Sequence, residues 1–345
     1  MPPIPPLFFH AGPADVRTAR PLVDAALAGD ASPEDALRAL AASVIGPWTI
    51  YPFLLLRRAG IDCTLTDQLP ERGILIASAC SIPISWKPPR GLTFVCTVAD
   101  SPRRPYAQVL LCQNPAQIGE IPPSPFGALP IERFLPHPPQ PGLLPRDARR
   151  GERFENVVYM GKPAELAPEL ASDGWRQALE QRGLRWIVRG PETWHDYADA
   201  DAVLAVRRFH APHLHTHKPA TKLHNAWLAG VPAVLGRESS CRAERRTPHD
   251  YLEVDSVEEA LAALDRLRAD VQLRQAMASN GLMRARTITT AAHAERWVEI
   301  ATQLAPAAHE TWSALGPAAR MAYFAERHAR RKWFGLRKRI REENP

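Results

Sequence analysis

The sequence has only five cysteines, Cys63, Cys80, Cys96, Cys112 and Cys241, and no CxxC pair among them. An odd, scattered set of this kind argues against a disulfide framework and reads as reduced thiols, mostly small core residues. Long apolar runs are missing as well. The first residues, "MPPIPPLFFHAG", have no cationic start and no apolar stretch of signal-peptide length. The longest apolar patch, "WTIYPFLLL", is too short to span a bilayer and contains Pro52. These absences lead to the expectation of a cytoplasmic protein. No internal repeat at a solenoid period is visible either.

A basic body is also lacking. The net charge is +6, yet the stretch from Ala318 to Pro345 alone holds nine Lys or Arg against three Glu, so the rest is balanced. Nucleic-acid binding by the body would need a basic face of its own, so no nucleic-acid partner is expected.

What is present is the composition of a globular protein, 45% hydrophobic and 23% charged, over 345 residues, enough for two domains. In the first half, "PLFFHAG", "IDCTLT", "GILIAS", "LTFVCTVA" and "AQVLLC" are β-rich runs with few charges. Such runs suit strands of a parallel sheet buried on both faces. "SPEDALRALAASV" starts a helix, with Ser32 as N-cap and Pro33 at the first helical position. A proline-dense section from Glu120 to Arg146 then interrupts. Proline lacks the amide donor, so this section is neither helix nor central strand.

The α/β alternation then restarts. "ENVVYMG", "LRWIVRG", "DAVLAV", "VPAVLG" and "DYLEV" read as strands. "PELASDGWRQALEQRG", a short "HDYADA", "ATKLHNAWLAG" and "SVEEALAALDRLRAD" read as helices, the last with Ser256 as N-cap. The expectation is an α/β protein of two doubly wound, Rossmann-like domains facing a cleft. Residues 1–135 are expected to form the first of these domains, 136–150 a Pro-rich linker and 151–305 the second domain. Residues 306–345 form a return helix and basic tail.

Five of the 12 histidines, His210, His213, His215, His217 and His224, fall in "FHAPHLHTHKPATKLHNAWLAGVPAVLG". HxH pairs on a strand put both rings on one face and do bind zinc or copper. Here Pro212 and Pro219 break the backbone, and no nearby Cys or Asp completes a ligand set, so no metal site is expected. The following helix carries Lys218 and Lys222 just before and within its first turn. That is the wrong sign for a helix N-terminus unless an anion binds there. Free amides with two ammonium groups suit a diphosphate, and solvated lysines are the alternative.

"DYADADAVLAV", "KPATKLHNAWLAGVPAVLG" and "DYLEVDSVEEALAAL" together resemble the C-terminal half of GT-B glycosyltransferases. Tyr197, Asp201 and Val203 match the "YAxADV" strand entry of the retaining members. The block from Lys218 to Gly236 is similar to the "TEKLxNAxxAGxVPVVLG" segment of the alpha-1,3-fucosyltransferases, where the lysine matching Lys222 contacts the nucleotide diphosphate. His217 and Asn225 stand where the retaining family has its two acidic residues. The resemblance covers about residues 155–304.

It implies metal-independent transfer of a sugar from a nucleoside diphosphate sugar to a hydroxyl of a carbohydrate, lipid-linked or protein acceptor. No cofactor beyond the donor is implied. Donor contacts then fall to Lys218, Thr221, Lys222 and Asn225, with His217 lining the sugar. Arg189 and Arg207 follow strands, where doubly wound sheets bind ligands. An inverting enzyme needs a base, for which His10 and Asp100, near strand ends of the first half, are the candidates. Two other readings stay open: a catalytically inactive sugar-nucleotide-binding or scaffold protein, and a metal-binding protein using the histidine loop. The basic, aromatic tail either packs on the protein or attaches to an anionic membrane surface, on the inner face of the membrane.

Overall fold

The computed structural model describes residues 4–119, 129–210 and 215–343, the last ten by backbone alone. The chain divides into two compact units, Met1–Leu135 together with His293–Pro345, and Pro136–Ala292. Residues 120–128 of the proline-dense section, and His213 of the histidine loop, lie outside the described residues.

The first unit is built on six parallel strands, β1 (Leu7–His10), β2 (Thr64–Thr66), β3 (Arg72–Ser78), β4 (Gly91–Thr97), β5 (Val109–Cys112) and β6 (Ile131–Phe134). Their order is β2-β1-β3-β4-β5-β6. The apolar runs alternate between two faces, as a pleat requires. Ile74, Ile76, Val95, Val109 and Leu111 join one core, while Leu75, Ala77, Phe94, Cys96, Leu110 and Cys112 join another. The helices α1 (Pro13–Ala28), α2 (Pro33–Ala39) and α3 (Tyr51–Arg58) all fall between β1 and β2. Ser32 caps α2 in a full capping box with Asp35. Beyond β3, the crossovers contain only short 3-10 turns among the described residues. Ile131–Phe134, inside the proline-dense section, makes an edge strand, where a flanking proline costs no ladder bond.

The chain ends in α10 (Thr290–Glu299), α11 (Ala305–Ala314) and α12 (Pro317–Glu343). Trp297, Ile300, Ala305, Trp312 and Tyr323 belong to the first unit's core. The Tyr323 hydroxyl donates to the Ala107 carbonyl at 2.6 Å, and Arg327 Nε donates to the Pro105 carbonyl at 2.9 Å. The early part of the tail is therefore packed on the protein, while Met321 and Trp333 are exposed. No helix of the described residues is long and apolar enough to cross a membrane.

The second unit has five parallel strands in the order β11-β10-β9-β7-β8. They are β7 (Asn156–Met160), β8 (Arg185–Arg189), β9 (Ala202–Ala205), β10 (Ala233–Gly236) and β11 (Leu252–Val254). Helices α4 (Pro168–Ala171), α5 (Asp173–Glu180), α6 (Thr221–Ala229), α7 (Ser239–Glu244), α8 (Val257–Ala269) and α9 (Val271–Ala285) cover the sheet. The helix expected over "PELASDGWRQALEQRG" is split, because the Ser172 hydroxyl leaves α4 to cap α5 by accepting from Trp175 N. The short helix expected over "HDYADA" is a turn instead. Asp196 accepts from Ala198 N, and Tyr197 N is taken by the Leu144 carbonyl, so the backbone is committed elsewhere. Gly230, in the left-handed region, ends α6. Gly281 on α9 lies so close to α6 that a Cβ there would meet Trp227 at 2.9 Å.

Asp201, matched above to the "YAxADV" entry, is a buried hub before β9. Its carboxylate pairs with Arg146 at 2.8 Å and Arg150 at 2.6 Å and accepts the amides of Glu155 and Asn156. Burial opposes its charge, but Arg150, those amides and Arg146 outweigh burial and hold its carboxyl below the ordinary range. The residues around 144–150 are thereby fixed onto the second unit.

Candidate functional site

The second sheet reverses its winding between β7 and β9, with β8 on one side and β9 to β11 on the other. Ligands of open parallel sheets bind outside the carboxyl ends of the strands at such a point. Gly161 directly follows β7, and Arg207 is the second residue past β9. A cluster of charge is assembled there.

Lys222 is in the first turn of α6 and half-buried. Its Nζ sits 5.3 Å from the centre of the Tyr159 ring on β7. A Cβ at Gly161 would come within 3.2 Å of Lys222 Cε and 2.9 Å of the Tyr159 hydroxyl, so glycine makes room for this side chain. Burial, and next the charge of Arg207, push the Lys222 ammonium down to about 8, against the pull of Glu238 and Glu165. Among the described residues, Lys222 has no ion pair.

Arg207 is nine-tenths buried. It contacts Glu238, two residues after β10, through Nη1, and lies 3.5 Å from Glu165 through Nε. That Nε has no hydrogen-bond partner among the described residues. Burial opposes the guanidinium charge, and Glu238 and Glu165 more than restore it. Lys218 Nζ reaches Glu165 at 3.4 Å. Burial works against the Glu165 charge, but Lys218, Arg207 and Lys222 hold its carboxyl below the usual range. Three cations from the loop before α6, from α6 and from the end of β9 thus share two carboxylates.

The α6 N-terminus adds donors. Ala220 precedes the helix and offers no capping side chain. The first intrahelical bond runs from His224 N to the Ala220 carbonyl, so the amides of Thr221, Lys222 and Leu223 lie ahead of it. Asn225, on the same helix, is buried, with Oδ1 lacking a partner among the described residues. The Tyr197 hydroxyl lies beside Asn225, and burial pushes its pKa well above the usual phenol value.

The other expected residues are placed as follows. Arg189, the last residue of β8, is tied to its own connection, donating to Asp199 at 2.8 Å and to the Asp196 carbonyl. His217 is half-buried with its ring 6.3 Å from that of His215. His10 ends β1 at the winding reversal of the first sheet, between Thr66 and Ala77 on the neighbouring strands. It is buried, and its Nδ1 has no hydrogen-bond partner among the described residues. Burial lowers its pKa, opposed by the backbone of Ser81 and the charge of Asp67. Asp100 lies three residues beyond β4, exposed, accepting from Gln113 at 2.8 Å. No group of three or more His, Cys, Asp or Glu able to hold a metal occurs among the described residues.

Sequence reasoning missed Tyr159, Gly161, Glu165 and Glu238. Glu238 carries the same signal that pointed to Arg207, a charged residue just past the end of a strand of a parallel sheet, here the second residue beyond β10 as Arg207 is beyond β9. Glu165 has a weaker form of it, five residues past β7.

No protein-family model and no curated protein matches the sequence. Solved structures similar to the chain include sucrose-phosphate synthase from Thermosynechococcus elongatus, at 12% identity over 79% of this chain and 77% of that one, with a TM-score of 0.45. A pneumococcal O-GlcNAc transferase, GtfA, solved with UDP and GlcNAc, is 10% identical over 74% of this chain and 60% of that one, with a TM-score of 0.48. A glycosyltransferase involved in avilamycin A biosynthesis is 16% identical over 77% of this chain and 89% of that one, with a TM-score of 0.45. At these identities and scores the likeness transfers neither donor, acceptor nor reaction to this chain.

Proposed function

We propose that the protein is a GT-B glycosyltransferase that moves a sugar from a nucleoside diphosphate sugar to an acceptor hydroxyl. The observation that carries this reading is the gathering of Lys218, Lys222 and Arg207 outside the carboxyl ends of β7 and β9. A site of three cations and two carboxylates keeps a surplus positive charge, which a diphosphate neutralises.

In the reaction, the bond from the sugar to the diphosphate breaks and negative charge accumulates on the leaving oxygen. Lys222 and Lys218 then interact more strongly with the departing group than with the intact donor, which lowers the barrier. The amides of Thr221 and Lys222 act in the same sense. Lys222, depressed to about 8, regains a firm proton as the anion settles beside it. Asn225 and His217 are assigned to donor hydroxyls. If transfer inverts the sugar, His10 is assigned as the base, with burial keeping its imidazole neutral near pH 7. The test is sugar-nucleotide hydrolysis in the absence of acceptor, with and without Lys222→Ala. Hydrolysis that depends on Lys222 supports an enzyme, whereas tight binding with no turnover supports a catalytically inactive binding protein.

A second, separate proposal concerns the tail. The α12 residues beyond Arg327 carry most of the chain's surplus charge, and Trp333 is half-exposed there. We propose that this end attaches to an anionic membrane surface, where each basic residue adds about 1 kcal/mol.

A further inference from the structure

We infer that Glu165 is a built-in occupant of the anion position, which the incoming phosphate displaces. The inference rests on the reading of Lys218, Lys222 and Arg207 as an anion site. Glu165 sits in the turn after β7, and its two carboxylate oxygens face two different cations, Oε1 toward Lys218 at 3.4 Å and Oε2 toward Arg207 at 3.5 Å. It also acts electrostatically on Lys222. One carboxylate therefore bridges Lys218 and Arg207 and acts at longer range on Lys222.

The fit is loose. At these distances the carboxylate neutralises Arg207 without hydrogen-bonding it, and the buried Arg207 Nε is left without an acceptor among the described residues. The Lys222 ammonium also lacks an ion pair among the described residues. A buried guanidinium donor normally finds an acceptor, so the arrangement is incomplete as it stands. A planar carboxylate has two oxygens on one carbon, and a phosphoryl group presents three in a tetrahedron. The phosphoryl group can engage Lys218, Lys222 and Arg207 Nε together, where Glu165 serves only two of them.

The two carboxylates of the cluster differ in this respect. Glu238 contacts Arg207 closely and its side chain is 14% exposed, whereas that of Glu165 is 35% exposed and its contacts are longer. Glu238 is the fixed counter-ion that keeps Arg207 charged, and Glu165 is the removable one. Displacement selects by charge. A monoanion only replaces one negative group by another, so a diphosphate is favoured over singly charged ligands. Between donors the site is held neutral enough to keep its cations packed.

The experiment is calorimetric titration of inorganic pyrophosphate and of acetate, at neutral pH, into the full-length parent, Glu165→Gln and Glu165→Ala. Glu165→Gln removes the competing charge at nearly constant shape. It is expected to bind pyrophosphate about ten-fold more tightly than the parent does. Acetate is expected to bind the variants measurably and the parent not at all. Thermal melting gives a second readout: both variants are expected to melt below the parent without ligand and to regain the difference with pyrophosphate. If the parent binds pyrophosphate and the variants bind it equally or less tightly, Glu165 is not in the anion's place and the inference is overturned while the anion site stands. If neither parent nor variants bind pyrophosphate, both fall together.

Discussion

Lys222 on α6 lies with its ammonium 5.3 Å from the centre of the Tyr159 ring on β7, and among the described residues no carboxylate pairs with it directly. A half-buried ammonium held by an aromatic face and repelled by Arg207 is an arrangement waiting for an anion.

The first prediction follows from that pair. The free Lys222 ammonium titrates at about 8, and an anion beside it raises that value, so the bound state holds its proton to higher pH than the free state. Affinity for a nucleoside diphosphate such as UDP is therefore constant below about pH 8 and falls as the pH rises above it. Lys222→Arg keeps its charge throughout, so its binding curve is expected to stay flat over the same interval. Calorimetry from pH 6.5 to 9.5, expressed as ratios to pH 7, separates the two curves.

Asp201 yields a stability prediction. Its carboxyl is held below the ordinary range in the folded chain, so its contribution is present above the unfolded carboxyl value near 4 and is lost as pH falls through the folded one. Asp201→Asn leaves Arg146 and Arg150 without their shared partner and is expected to cost about 3–5 kcal/mol at neutral pH. The loss shrinks on acidification, because the parent then forfeits the same interaction. Urea unfolding at pH 7 and pH 3.5 measures both.

How far the sequence foretold this arrangement can be judged from the same residues. The strands announced themselves as short apolar runs with few charges, and Lys222 by its unfavourable sign in a first helical turn. Arg207 was visible as a charge after a strand. Arg189 carried that same signal and is nevertheless committed to Asp199, because pairing across ten residues of turn leaves no mark in a pattern of strands. Glu165 and Glu238 escaped notice for a related reason. They come from two separate crossovers, and only the parallel packing of β7, β9 and β10 brings them to Arg207. The broken helix at Ser172 shows the other gap: a capping hydroxyl inside a helix-like run stops it, though the apolar spacing continues.

The tail supplies a third prediction. Tyr323 and Arg327 are anchored to the Ala107 and Pro105 carbonyls, so a chain ending after Gly335 is expected to melt within a few degrees of the parent. Sedimentation with vesicles is expected to need anionic lipid, to fade at high salt and to weaken in that truncation. Equal, negligible sedimentation of both chains on anionic vesicles at low salt removes the membrane role.

The most direct test of the central claim is the binding of nucleoside diphosphates to the parent and to Lys222→Ala, measured by calorimetry at pH 7 across a panel of bases. The account predicts that at least one nucleoside diphosphate binds the parent, and that Lys222→Ala weakens it by about 1.5–3 kcal/mol while its melting temperature holds. A variant that binds every nucleotide as tightly as the parent does, or a parent that binds none, would contradict it.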